Sequence, residues 1–71
     1  MKLPIIRGMY RTRNGKTASA YWVWGSNGCY IRGVIQLKTK TVERTWNTND
    51  GTKVCYSNHG NNGDDLIEGP L

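Results

Sequence analysis

Arg11-Thr-Arg-Asn-Gly-Lys-Thr-Ala-Ser-Ala-Tyr-Trp-Val-Trp-Gly25 sets three cationic side chains around an Asn-Gly pair and then runs into alternating small and aromatic residues. Asn-Gly tolerates the positive φ of a hairpin tip, and the residues after it are β-branched, small or aromatic, so the stretch reads as a hairpin. A two-residue loop at Asn14-Gly15 pairs Arg11 with Ala18, Met9 with Ala20, Arg7 with Trp22 and Ile5 with Trp24. Three more turn signals occur along the chain: Asn27-Gly28, the polar break Lys38-Thr-Lys-Thr41, and Asp50-Gly51. Together they predict five strands, at 4–11, 17–24, 29–37, 42–48 and 52–57. Helix is not expected, because no apolar period of 3.6 residues persists for three turns.

A register slip of one residue would invert every side chain, so agreement between hairpins about the apolar side is informative. A two-residue loop at Asn27-Gly28 pairs Trp24 with Ile31, Trp22 with Gly33, Ala20 with Ile35 and Ala18 with Leu37. One at Thr39-Lys40 places Val42 opposite Leu37 and Trp46 opposite Gly33. For the last hairpin, a three-residue loop Asn49-Asp50-Gly51 keeps Val54 and Tyr56 on the same side. The expected core is Ile5, Met9, Ala18, Ala20, Trp22, Trp24, Ile31, Ile35, Leu37, Val42, Trp46, Val54 and Tyr56, with Arg44 the one violation. A five-stranded antiparallel meander with one apolar face and no helix to cover it curls into a small half-open barrel, SH3-like or OB-like. Residues 1–57 form that all-β domain, and 58–71 are a polar loop and a tail packing on it, with Leu66-Ile67 closing one end.

A chain of 71 residues is one domain with a small core. Chains of this size bury only about 60% of their unfolded surface, which favours a partner or a homo-oligomer. The run Met1-Lys2-Leu-Pro-Ile-Ile-Arg7 is too short for a signal peptide, and no run approaches the roughly 20 residues of a membrane span. The expectation is an intracellular protein with no membrane role and two free thiols, Cys29 on the core side and Cys55 on the outer side. The net charge of +5 is uneven: residues 1–40 carry eight cations and no carboxylate, and all five acids lie from Glu43 onward. Such asymmetry suits a polyanionic partner, or attraction between the two ends of the chain.

Catalysis finds little support. His59, the single histidine, lies in the polar segment 58–65 with no nucleophile placed beside it. Asp64-Asp65 reads as a solvated acidic turn, because adjacent residues of an extended chain point apart. Cys29, Cys55 and His59 lack a metal-ligand spacing, and the glycines mark turns rather than a phosphate cradle, so no cofactor is expected. Binding remains. The outer face carries Tyr10, Ser19, Tyr21, Val23, Tyr30, Arg32, Val34 and Gln36, and the turns add charge. The candidate binding residues are Tyr10, Arg13, Lys16, Tyr21, Tyr30, Arg32, Lys38 and Lys40, an aromatic and cationic set able to grip a protein or stack on bases. The alternative is that the tyrosines pair across strands and only stabilise the sheet.

Three segments, Thr12-Arg-Asn-Gly-Lys16, Trp46-Asn-Thr-Asn-Asp-Gly51 and Asp65-Leu-Ile67, resemble the pattern of a group of short tailed-phage and prophage proteins. That pattern runs Thr-Arg-Asp-Gly-Arg, then Trp-Thr-x-Asp-Gly, then Asp-Leu. This chain departs from it at Asn14 and by one extra residue between Trp46 and Asp50. The resemblance implies an accessory protein working in the cytoplasm of a bacterial host and transfers no functional residue. The expected function is a non-enzymatic module that binds and modulates a host factor, such as a defence system. Sequence-independent nucleic-acid binding and a structural or assembly role in the virion are the alternatives.

Overall fold

A computed structural model describes residues 1–54 and 63–71. The chain is all-β, with strands β1 (Gly8–Thr12), β2 (Thr17–Trp24), β3 (Tyr30–Gln36), β4 (Thr41–Asn47) and β5 (Leu66–Glu68), and one 3-10 turn at Ser26–Gly28. They form a single antiparallel sheet in the order β4-β3-β2-β1-β5, curled into the half-open barrel that the apolar face required. The first four strands succeed one another as a meander. The fifth comes from residues 66–68 and sits at the far edge, beside β1, with Thr12 opposite Leu66 and Arg11 opposite Glu68. In the predicted strand 52–57, Lys53 makes an isolated bridge to Trp46, and residues 55–57 lie outside the described part, as do Cys55, Tyr56 and His59.

The first hairpin differs from expectation by one residue, with large consequences. Thr12 N donates to Lys16 O at 2.8 Å and Gly15 N to Thr12 O at 2.9 Å, so the loop holds three residues, Arg13-Asn14-Gly15, with Gly15 at φ 84°. The buried Thr12 hydroxyl secures it by accepting from Lys16 N at 3.0 Å and donating to Asn14 Oδ1 at 2.6 Å. A three-residue loop closing on a left-handed glycine is a favoured alternative to the two-residue turn. It sets Tyr10 against Ala18 and Met9 against Ser19. Tyr10 is therefore fully buried, its hydroxyl accepting from Ile6 N at 3.0 Å, and Met9 is exposed, the reverse of the predicted faces.

The second difference is a β-bulge in β2. Ala18 faces Ile35 and Ala20 faces Gly33, but the next pairs are Trp22 with Arg32 and Val23 with Ile31, leaving Tyr21 unpaired. One extra residue turns the far half of the strand over. Val23 now joins the side of the buried Ile31, and Trp22 and Trp24, predicted for the core, go to the outer face. Gly33 is what admits the bulged strand: a Cβ there would overlap the Ser19 carbonyl oxygen and come within 2.8 Å of Ala20 Cα. Gly33, expected opposite both Trp22 and Trp46, instead takes the close approach of a backbone.

The third hairpin turns at Lys38-Thr39, with Leu37 N donating to Lys40 O at 2.8 Å. Its register moves by two, so the faces are kept: Val42 lies opposite Ile35 and Trp46 opposite Ile31. After β4 the loop is Thr48–Gly51, one residue longer than expected, and Val54 N donates to Thr45 O at 2.8 Å instead of Val54 facing Trp46. The core consists of Ile5, Tyr10, Ala18, Ala20, Ile31, Ile35, Trp46 and Leu66, flanked by Leu37 and Val42. Burying each large apolar side chain contributes about 1.5–3 kcal/mol. Residues 4–7, predicted as strand, leave the sheet and cross the open end, where Ile5 N donates to Thr48 O at 2.8 Å.

Arg44 and the acidic segment explain each other. Arg44 faces the core side opposite Gly33 and its Nε donates to Asp64 Oδ2 at 2.9 Å, with Lys53 Nζ 3.9 Å from the same oxygen. Trp46 Nε1 donates to Asp64 O at 2.8 Å, and the buried Asp65 accepts from Lys53 N at 2.8 Å. Asp64-Asp65 is thus the clasp of the barrel and not a solvated turn. No buried side-chain nitrogen or oxygen among the described residues lacks a partner.

Candidate binding face

Beyond the bulge, two rows of side chains cross the outer face: Trp24, Tyr30 and Asn47, then Trp22, Arg32 and Thr45. The Trp24 and Tyr30 rings have centroids 4.7 Å apart with planes tilted by 35°. Arg32 Cζ stands 5.4 Å from the Trp22 ring centroid, and its Nη1 is 3.9 Å from Glu43 Oε2. Trp22 keeps 52% of its surface exposed, Tyr21 49% and Trp24 38%. An exposed cation over an indole contributes about 0.5–1 kcal/mol, and an exposed ion pair about 0–1. These contacts orient the rings without covering them.

Local sequence builds this cluster. The loop between β2 and β3 spans Gly25 to Cys29 rather than two residues, and Gly28 N donates to Gly25 O at 3.1 Å. Gly25 (φ 86°), Asn27 (φ 61°) and Gly28 (φ 65°) all adopt positive φ, which favours glycine and asparagine. A Cβ at Gly25 would lie 2.8 Å from the Tyr30 ring, so glycine lets that ring settle on the loop. Thr48 ties the loop to the sheet, its Oγ1 donating to Gly28 O at 2.8 Å and its N to Cys29 O at 2.9 Å. Cys29 is a free thiol and exposed, not on the core side.

The predicted binding residues divide into separate groups. Tyr10 leaves the surface altogether and is a core residue. Tyr21, Tyr30 and Arg32 gather at the aromatic end together with Trp22 and Trp24, which strict alternation assigns to the core. Arg13, Lys16, Lys38 and Lys40 lie at the opposite end, because Thr17, Gln36 and Thr41 share the last row before their two turns. About seven residues of strand separate the ends, or roughly 20 Å at ~3.3 Å per residue. Arg13 is turned partly inward, its Nη2 3.8 Å from Asp65 Oδ2. The signal for the exposed indoles is the unbroken run Tyr21-Trp22-Val23-Trp24 in one strand with an isolated glycine, Gly33, inside the next, a combination that marks a bulge.

A shallow apolar groove of about 570 Å³ opens beside the aromatic end, lined by residues of the 4–7 crossing, Val23, Asn27, Gly28 and Thr48. Among the described residues no group of three or more His, Cys, Asp or Glu side chains could hold a metal ion. No helix among them is long and apolar enough to cross a membrane. Compared with known proteins, the chain matches no family model, no curated protein and no solved structure.

Proposed function

We propose that this chain is a non-enzymatic binding module whose working surface is the aromatic end of the outer face. It would act as a tailed-phage or prophage accessory protein that occupies and modulates a macromolecule of the bacterial host. The observation that carries the reading is the outward turn of Trp22 and Trp24 beside Tyr30 and Arg32. Exposed tryptophan, tyrosine and arginine in one cluster is the composition of binding hot spots, in which a few such residues supply most of the affinity. A small core has more use for two indoles than a surface does, and a bulge that sends them outward serves contact with something else. The phage and host setting comes from the resemblance of the turn motifs and the Asp65-Leu66 pair.

The reading is tested by retention of host macromolecules from a bacterial lysate, comparing the natural chain with a Trp22→Ala/Trp24→Ala variant of unchanged circular dichroism. The expected result is a retained species lost from the variant. Equal retention by both proteins would remove the aromatic face from the function.

A further inference from the structure

The ten cations and five acids of the chain are distributed unequally between internal pairing and the surface. Glu43, Asp64, Asp65 and Glu68 face Arg32, Arg44 with Lys53, Arg13 and Arg11 respectively, and Asp50 Oδ1 accepts from Thr52 N at 2.9 Å within its own turn. Among the described residues, Lys2, Arg7, Lys16, Lys38 and Lys40 face no acid. The net charge of +5 therefore resides in side chains free to meet a partner, and three of these five stand at the two turns closing one end of the sheet. The exposed indoles stand at the other end of the same strands.

We infer that the outer face is a platform for single-stranded nucleic acid, with bases stacked on Trp22 and Trp24 and the backbone running toward Lys16, Lys38 and Lys40. This rests on the aromatic face being the working surface and names its partner. Unpaired bases offer flat apolar faces to exposed rings, and their phosphates are drawn to uncompensated cations; the two together are the recurring means of binding single strands without sequence preference. The separation of roughly 20 Å suits a short strand, near the lower end of the ~4–16 nucleotides that small barrels cover. A duplex keeps its bases stacked inside and can offer the convex sheet only phosphates, so single strands are preferred. Arg32, beside Trp22 on the inner edge of the aromatic end, can exchange Glu43 for a phosphate or stack on a base.

The probe is a fluorescein-labelled oligothymidylate of about twelve nucleotides, with a duplex of the same length beside it, followed by anisotropy across a salt series. The expected result is single-strand binding that weakens steeply with salt and exceeds duplex binding. Trp22→Ala and Trp24→Ala should each lower affinity about tenfold. Lys38→Ala/Lys40→Ala should leave the fold intact and reduce the slope of log affinity against log salt by about 1.4, at ~0.7 for each phosphate no longer neutralised. Equal affinity for single strand and duplex, with no effect of the tryptophan changes, would overturn the inference. So would absence of binding at low salt; if the lysate species were still lost from the tryptophan double variant, the aromatic face would stand and its partner would be a protein.

Discussion

Gly33 has no room for a side chain. Its absent Cβ would overlap the Ser19 carbonyl oxygen, and the obstacle is backbone, which cannot rotate away as a side chain can. Gly33→Ala should destabilise the fold by about 1–3 kcal/mol, the usual cost of overpacking a filled site, read as a lower urea midpoint with an unchanged slope. A Gly33→Ala variant as stable as the natural chain would mean that the bulge is not formed. Much at this scale was legible: Ala18, Ala20, Ile31, Ile35 and Trp46 are buried as alternation requires, and Ile5 is buried too, though from outside the sheet. Tyr10, Met9, Trp22 and Trp24 were not, because a side chain's face is decided by the loop or bulge nearest to it, and hydrophobicity alone cannot count the residues in a turn.

Among the elements, each hairpin obeys its turn chemistry; three differ from expectation in length, and the third keeps two residues but moves from Thr39-Lys40 to Lys38-Thr39. Asn14-Gly15 closes a three-residue loop, Asn27-Gly28 a five-residue loop and Asp50-Gly51 a four-residue loop. A register shift of one inverts a face, as in β1, and a shift of two preserves it, as between β3 and β4. The positions of β2, β3 and β4 were thus readable to within a residue or two, as were the outer side chains of β3, whereas those of β2 beyond the bulge were not. Thr12 was a sign within reach: a threonine at the loop's base that can hold both Lys16 N and Asn14 Oδ1 favours the longer turn. The candidate site suffered most, since half of it depended on a bulge placed by a single glycine across the sheet.

For the molecule as a whole, closure depends on residues distant in sequence. β5 pairs with β1, Leu66 N donates to Gly51 O at 2.9 Å, Arg13 N donates to Asp65 O at 2.8 Å, and Asp65 Oδ1 receives Lys53 N. Opposite charge at the two ends of the sequence foreshadowed this attraction, but only the fold shows that Asp64 and Asp65 are held between Arg13, Arg44 and Lys53. Asp65→Ala removes the acceptor of a part-buried amide and should cost about 1–3 kcal/mol in thermal or urea unfolding. A neutral result would mean that the clasp does not hold the barrel shut. With the acids so engaged, the surface that remains is cationic at one end and aromatic at the other.

Everything proposed for the outer face depends on the bulge turning Trp22 and Trp24 outward while Trp46 stays inside, and acrylamide quenching of tryptophan emission distinguishes the two environments. The natural chain should show two quenchable indoles, and a Trp22→Phe/Trp24→Phe variant, emitting from Trp46 alone, should be blue-shifted and strongly protected. Equal protection of emission in the two proteins would return Trp22 and Trp24 to the core and leave the outer face without its rings.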